Sequence, residues 1–508
     1  MPETLTVRKK NEVHITIAGD RGAEMELSEY FTFEVPGARF MPAYKHKMWD
    51  GKIRLYDSRR KTVYAGLLDE VNQFAASRGY ELTYENDPTY GLPNAKNDIT
   101  PESLHEWTKG IPLQVNGQLI EPRPYQLEAI YHGYRNKRNL LLSPTASGKS
   151  LIIYMLIRKF LEENEGKVLL VVPLTSLVEQ MYGDFADYSK HDDGFDVEKD
   201  CHRIYSGKEK IGISQRVVIT TWQSIFKMPD SWFTPYRMMI GDEAHGFKSK
   251  SLCAIMEKLR DCPYRIGTTG TLDGAQTNER VLTGLFGPIH RVTTTRDLID
   301  AGMISDLKVE ILQLGYSEEE RKMAKHLDYQ AEIDFLVSHE KRNRLIRNLA
   351  IDQTGNTLVL FSYVQKHLIP VHKAIAEKLA KTHPNRKVFL VYGGVEAEER
   401  EAIRAIVEKE KDAIICAGVQ VFSTGINIRN LHGIIFASPF KSQIRVLQSI
   451  GRGLRKSDDG RRTTVFDLAD DLSWKKRRNY TLDHAKERVM IYGKERFDFT
   501  VNEVPLTS

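Results

Sequence analysis

Apolar residues fall in short runs along most of this chain, and the character of the runs changes after the first hundred positions. Near the start, Val13–Gly19, Lys52–Asp57 and Thr62–Leu68 have strand character, Leu67–Gly79 has helical spacing, and Glu81–Glu85 reads as a further strand. These elements predict a small α+β domain over residues 1–98. Asn, Pro, Gly and Asp dominate between Asn86 and Pro101, which predicts a linker reaching about residue 107.

From residue 108 the runs become continuous. Asn139–Pro144, Lys167–Pro173, Arg216–Thr221, Met238–Glu243 and Tyr264–Gly270 are each followed by stretches of helical character. Unbroken apolar strands alternating with helices predict a parallel sheet covered on both faces. After a charged helical stretch from Ser317 to Ala350 the arrangement recurs in Thr357–Ser362, Lys387–Gly393, Ala413–Gly418, Gly433–Ser438 and Thr463–Leu468. The expected fold class is α/β: two tandem doubly wound parallel-sheet lobes, 108–304 and 305–474, after the small α+β domain, with a basic tail over 475–508.

Composition changes this picture little. A chain of 508 residues with 41% hydrophobic content can bury several cores, and roughly three domains is the length prior. The net charge of +5 excludes a global polycation, so any nucleic-acid binding must come from local clusters. Cys201, Cys253, Cys262 and Cys416 lack CxxC spacing, which argues against a zinc ribbon and for reduced thiols. No apolar run reaches the roughly eighteen residues of a membrane helix, and Met1-Pro2-Glu3 does not open a signal peptide, so the expected location is cytoplasmic, without a membrane partner.

The candidate chemistry lies at the ends of two runs in the first lobe. Leu140–Leu142 leads into Ser143, Pro144, Thr145, Ala146, Ser147, Gly148, Lys149 and Ser150, a strand entering a turn that ends Gly-Lys-Ser. Such a turn aims backbone N–H groups at anionic oxygens, with the positive end of the next helix behind them. Gly148 permits close approach, Lys149 supplies a cation to the β/γ-phosphates, and the Ser150 hydroxyl is a candidate Mg²⁺ ligand. Ser143 stands where the usual pattern has its first glycine. The run ending at Asp242-Glu243-Ala244-His245 places carboxylates at a strand's carboxyl end. Asp242 is the expected Mg²⁺ partner, Glu243 the group that orients and deprotonates the attacking water, and His245 a relay toward the neighbouring domain. The second lobe lacks a cradle but carries Gln448-Ser449-Ile450-Gly451-Arg452-Gly453-Leu454-Arg455. Arg452 and Arg455 share one helical face and suit the charge of a transferring phosphoryl group, reaching it from a cleft between lobes. These readings reach a two-lobed, ATP-hydrolysing machine.

The same motifs resemble those of superfamily 2 helicases from about Glu121 to Asp471. Pro124-Tyr125-Gln126 resembles the adenine-reading motif, with Gln126 as base contact. Ser143–Ser150 and Asp242–His245 resemble motifs I and II. Pro173 and Thr175 lie in a stretch similar to motif Ia, and Thr220, Thr221 and Trp222 in one similar to motif Ib; both motifs meet the nucleic-acid backbone in that family. Thr269-Gly270-Thr271 stands where motif III usually reads Ser-Ala-Thr. Val421–Asn427 resembles motif V, with Thr424 implied at the strand and Gly425 at the nucleotide, and Gln448–Arg455 resembles motif VI. Trp49–Leu55 extends the likeness to phage UvsW-type helicases, over nearly the whole chain. It implies RecA-like lobes, ATP with Mg²⁺, and ATP-driven movement along one strand, unwinding or branch-migrating forks, Holliday junctions, D-loops and R-loops in recombination, repair and replication restart. The implied partners are branched and single-stranded DNA, RNA–DNA hybrid and a single-strand-binding protein, for a monomer in the host cytoplasm.

An electrostatic argument points the same way. Between Arg39 and Lys61 eight Lys or Arg stand against two Asp, interleaved with Phe40, Tyr44, Trp49 and Tyr56. Cations meet phosphates and ring faces meet bases or sugars, so Lys52 and Arg54 are candidate nucleic-acid contacts. Lys475–Arg478 is a second basic stretch. An RNA helicase and a nuclease-coupled translocase share the core motifs and are the alternative readings.

Overall fold

The computed structural model describes residues 3–205, 209–421, 431–439, 450–451 and 461–506. Thr424, Gly425, Gln448, Arg452 and Arg455 lie outside the described residues. The chain divides into two compact units, Met1–Ser143 with Ser147–Val292, and Thr293–Ser508 with Pro144–Ala146.

The first unit begins with strands β1 (Thr4–Lys9), β2 (His14–Ala18), β3 (Thr32–Glu34), β4 (Lys52–Arg54), β5 (Thr62–Tyr64) and β6 (Glu81–Glu85). Four of them form a mixed sheet in the order β5-β2-β1-β6, and β3 pairs with β4 in a separate ribbon. Alternation explains the sheet: Leu5, Val7, Ile15 and Ile17 point inward and are fully buried. Helices Arg21–Tyr30 and Leu68–Arg78 cover that face with Leu27, Val71 and Phe74.

This small domain does not stand apart from the lobe that follows. Its buried residues and those of helices Lys250–Lys258 and Gln276–Phe286 belong to one continuous apolar core. Close approach depends on glycine: a Cβ on Gly66 would collide with the backbone around Thr283 and Gly284, and one on Gly284 would meet Tyr64. Polar ties surround the contact. The Tyr64 hydroxyl donates to Glu257 at 2.6 Å, Glu70 pairs with Arg280, and buried Glu12 accepts from Arg138 at 2.8 Å and from Lys9 at 2.9 Å. The expected linker is pinned as well, since Tyr90 donates to Asp261 and Asn97 to the Tyr134 carbonyl.

After a short hairpin of β7 (Gln114–Val115) and β8 (Gln118–Leu119) come β9 (Arg138–Leu142), β10 (Lys167–Val172), β11 (Cys201–Ile204), β12 (Val217–Thr221), β13 (Tyr236–Asp242), β14 (Tyr264–Thr269) and β15 (Ile289–Arg291). They form a seven-stranded sheet in the order β11-β12-β10-β13-β14-β9-β15, parallel throughout. Helix Lys149–Glu163 buries nearly its whole apolar length against one face. Beneath the site, fully buried Arg265 donates to the carbonyls of Met256, Leu259 and Leu285, satisfying acceptors left over at two helix ends.

The second unit holds β16 (Leu307–Gly315), β17 (Asn356–Phe361), β18 (Val388–Val391), β19 (Ile414–Gly418), β20 (Leu431–Phe436), β21 (Thr463–Asp471) and β22 (Asp498–Pro505). The sheet order is β18-β19-β17-β20-β21-β16-β22, again parallel throughout. The tail expected over 475–508 is part of this lobe. Strand β22 pairs with β16 from Asp498 opposite Lys308 to Pro505 opposite Gly315. Helix Tyr480–Lys494 buries Arg488, which grips Asp467 of β21 at 2.7 Å. Buried Arg342 makes a similar pair with Asp470 at 2.7 Å.

Among the described residues Cys201, Cys262 and Cys416 are buried, Cys253 is half-buried, and all four are free thiols. No described helix is long and apolar enough to cross a membrane.

Candidate functional site

Strand β9 ends at Leu142, and the next six residues turn into helix Lys149–Glu163. Two residues in this turn take positive φ, Ala146 at 67° and Gly148 at 80°. For glycine this is free, whereas alanine there costs about 1–2 kcal/mol. The strain turns successive N–H groups toward one side, the geometry of an anion-binding nest. The turn is braced from beneath. Ser143 N–H donates to the Thr269 carbonyl at 2.8 Å, and the Ser143 and Ser147 hydroxyls share a hydrogen bond of 2.5 Å. Serine in place of the usual first glycine is therefore a structural brace.

The carboxamide of Gln126 is almost fully buried and accepts from Arg123 N–H at 2.8 Å. It also donates to the Ser147 carbonyl at 2.9 Å, as does the Tyr125 hydroxyl at 3.1 Å. In this arrangement Gln126 holds the cradle. Lys149 Nζ folds back toward the Ser143 carbonyl at 3.3 Å, and the Ser150 hydroxyl bonds to that of Tyr188 at 2.8 Å.

The acidic motif closes β13, one strand beyond β14 from the cradle strand β9. Asp242 is 6% exposed and accepts from the Thr268 hydroxyl at 2.8 Å. Burial, then the neighbouring Glu243 charge, push its carboxyl up, while Lys149 and Thr268 pull it down. The Asp242 carboxylate and the Ser150 hydroxyl are both hard oxygen donors of the kind Mg²⁺ prefers. Glu243 itself sits at φ 49°, a left-handed turn that carries the chain from strand into the short helix Ala244–Lys248. His245 Nδ1 lies 3.0 Å from the Thr269 hydroxyl and 3.3 Å from Glu243. The Thr269 hydroxyl donates to the Thr271 carbonyl at 3.0 Å, so Nδ1 carries the proton in its bond to Thr269. Sheet register thus brings motifs I, II and III to one edge.

Thr268, Tyr125 and Tyr188 join this site although their residue types did not single them out. Register is the signal for Thr268, which lies directly opposite Asp242.

The residues expected to meet nucleic acid are more scattered. Thr175 is exposed at the start of helix Thr175–Tyr188, which no side chain caps, and Pro173 is half-buried just before it. Thr220 and Thr221 are buried at the end of β12. The Thr220 hydroxyl donates to the Ile204 carbonyl and that of Thr221 bonds to Ser224, so both hydroxyls are engaged within the fold. Half-buried Trp222 packs on Phe226. In the small domain Lys52 is exposed and Arg54 pairs with Asp50. Around them Phe40 and Met48 are 66% and 76% exposed, with Arg39 over the Phe40 ring at 4.8 Å, whereas Tyr56 is buried. The result is an outward surface of cations and apolar groups.

Two seven-stranded parallel sheets, the first carrying a phosphate cradle and an acidic pair at its carboxyl edge, define a RecA-like ATPase core of the superfamily 2 helicase class. Three family models match: "DNA helicase UvsW, N-terminal" over residues 5–85, "Type III restriction enzyme, res subunit" over 119–274, and "Helicase conserved C-terminal domain" over 340–457. The ATP-dependent DNA helicase uvsW of Enterobacteria phage T4 is 34% identical over 506 residues, covering 97% of this chain and 98% of that protein. The crystal structure of T4 UvsW superposes with a TM-score of 0.52, covering 99% of this chain and 100% of that one. The DNA 3'-5' translocase XPB2 of Sulfurisphaera tokodaii is 24% identical, over 68% of this chain and 82% of its own length. The chain belongs to the UvsW family of superfamily 2 helicases and is an ATP-dependent DNA helicase.

Proposed function

We propose that this helicase remodels branched DNA, unwinding forks and D-loops, migrating Holliday junctions and clearing R-loops, in recombination, repair and replication restart. The observation that supports this reading is the small first domain, matched to a UvsW-specific family model and fused to the ATPase lobe through a shared core. A cationic, aromatic surface rigidly joined to a motor is suited to hold duplex while one strand is drawn away. In the proposed site Lys149 and the backbone N–H groups of Thr145 to Gly148 bind phosphates. Ser150 and Asp242 hold Mg²⁺, which supplies charge neutralisation to the phosphates when bound. Glu243 orients and deprotonates water, His245, held by Thr269 at 3.0 Å and lying 3.3 Å from Glu243, relays toward the neighbouring domain, and Gln126 contacts adenine. Gly425, Gln448, Arg452 and Arg455 keep their proposed roles at the nucleotide from the sequence motifs. Thr175, Trp222 and Thr424 are proposed at the strand, with Pro173, Thr220 and Thr221 shaping the lobe-one contact and Lys52 and Arg54 gripping duplex.

The name of the Sulfurisphaera tokodaii relative supports 3′ to 5′ travel. A monomer acting in a host cytoplasm, assisted by a single-strand-binding protein, completes the proposal. The test is ATPase and unwinding measured together on single strands, blunt duplex, forks, four-way junctions, RNA–DNA hybrids and structured RNA. Preference for forks and junctions is expected, and stimulation by structured RNA above fork DNA would overturn the reading.

A further inference from the structure

A cluster on the far side of the cradle strand has no part in the chemistry above. Glu128 and His132 stand one turn apart on helix Pro124–Asn136, and His290 sits on edge strand β15 opposite Leu141 of β9. One donor atom from each of the three lies within 4.8 Å of the other two. The imidazoles of His132 and His290 approach to 4.2 Å between centroids. His290 Nε2 is buried and has no hydrogen-bond partner, an omission worth about 1–3 kcal/mol in a folded protein.

We infer that Glu128, His132 and His290 form a divalent-metal site of the zinc class. Two imidazoles and a carboxylate are a recurrent zinc ligand set, with a fourth position left for water. Metal–ligand distances of about 2.0–2.1 Å place tetrahedral donors about 3.3 Å apart, so small side-chain rotations close the site. The i, i+4 spacing of Glu128 and His132 puts both on one helix face, and β15 is fixed by its ladder to β9, so the donors are held by rigid elements. The metal would staple the helix that carries Gln126 to the edge of the sheet beside the cradle strand. The three donors come from a helix and a sheet-edge strand, so the bound metal acts as a cross-link between them.

The test is calorimetric titration of chelator-treated full-length protein with Zn²⁺, without nucleotide. One saturable equivalent is expected, with a rise in melting temperature. Loss of an outer-shell partner alone costs about 10- to 100-fold in metal affinity, so His290→Phe and His132→Gln should each weaken binding at least tenfold. His132→Gln changes a partly exposed helix position and guards against misfolding of the other variant. Co²⁺ in place of Zn²⁺ should give visible ligand-field absorption that both variants abolish. Absence of a saturable equivalent in the unmodified chain, or equal binding by correctly folded variants, would overturn the inference.

Discussion

Thr268→Val isolates the link between β14 and the acidic pair. Thr268 is 1% exposed, and its hydroxyl donates to Asp242 at 2.8 Å. Valine keeps the shape and removes a hydrogen bond to a charged acceptor, worth about 1.5–3 kcal/mol. Burial and Glu243 already raise the Asp242 carboxyl, and Thr268 is one of the groups that oppose them. Without it the pKa rises further. In the proposed site Mg²⁺ is held by the carboxylate, which is present above that pKa and lost as pH falls through it. The acid limb of kcat should therefore move toward neutral pH, and more Mg²⁺ should be needed for half-maximal rate. If the full energy is felt in the transition state, kcat falls about 10- to 150-fold. DNA-stimulated phosphate release across mildly acid to mildly alkaline pH, at several Mg²⁺ concentrations, measures all three effects. An unchanged kcat with an unmoved acid limb would refute the argument that this hydroxyl supports the charge on Asp242.

Other consequences concern the joint between the small domain and lobe one. Gly66→Ala drives a methyl group into the Thr283–Gly284 backbone, and overpacking of this kind costs about 1–3 kcal/mol; a lower melting temperature and faster hydrogen exchange in helices Leu68–Arg78 and Gln276–Phe286 are expected, against no change if the contact is loose. Burial pushes His14 down from 6.5 to about 4 as it stacks on Tyr64. The unfolded chain takes that proton first, so up to about 3 kcal/mol of stability, complete above pH 6.5, should be lost as pH falls toward 4. Denaturant melts of His14→Phe should show a flatter acid dependence.

The sequence exposed those elements whose burial is complete. Strands β9, β10, β12, β13, β14, β17, β19 and β20 are covered on both faces, so they appear as unbroken apolar runs. Strand β22 is largely exposed at a sheet edge and left no such run, which is why the last residues read as a basic tail. Helix Arg21–Tyr30 buries only Ala23 and Leu27, too few for a visible stripe. The docking of the small domain rests on Gly66, Gly284 and Tyr64, whose fit is a matter of three-dimensional shape with no periodicity along the chain. At the site, Lys149, Ser150, Asp242 and Glu243 were legible because phosphate and metal chemistry restrict residue types at fixed spacing. Thr268 and Tyr188 were not, since their roles come from strand register and from a contact made across the fold. The hydroxyls of Thr220 and Thr221 show the converse: a motif gives a position without saying whether its side chain faces outward.

The central claim is that hydrolysis at the Lys149–Asp242–Glu243 site powers strand separation. Glu243→Gln keeps the size of the side chain and removes the proposed base, a change expected to cost about 10²- to 10⁴-fold in rate. Fork unwinding, ATP turnover and fork binding measured side by side on this variant test the claim most directly. The account predicts that binding is retained while turnover and unwinding are lost together; unwinding that continues after hydrolysis has stopped would contradict it.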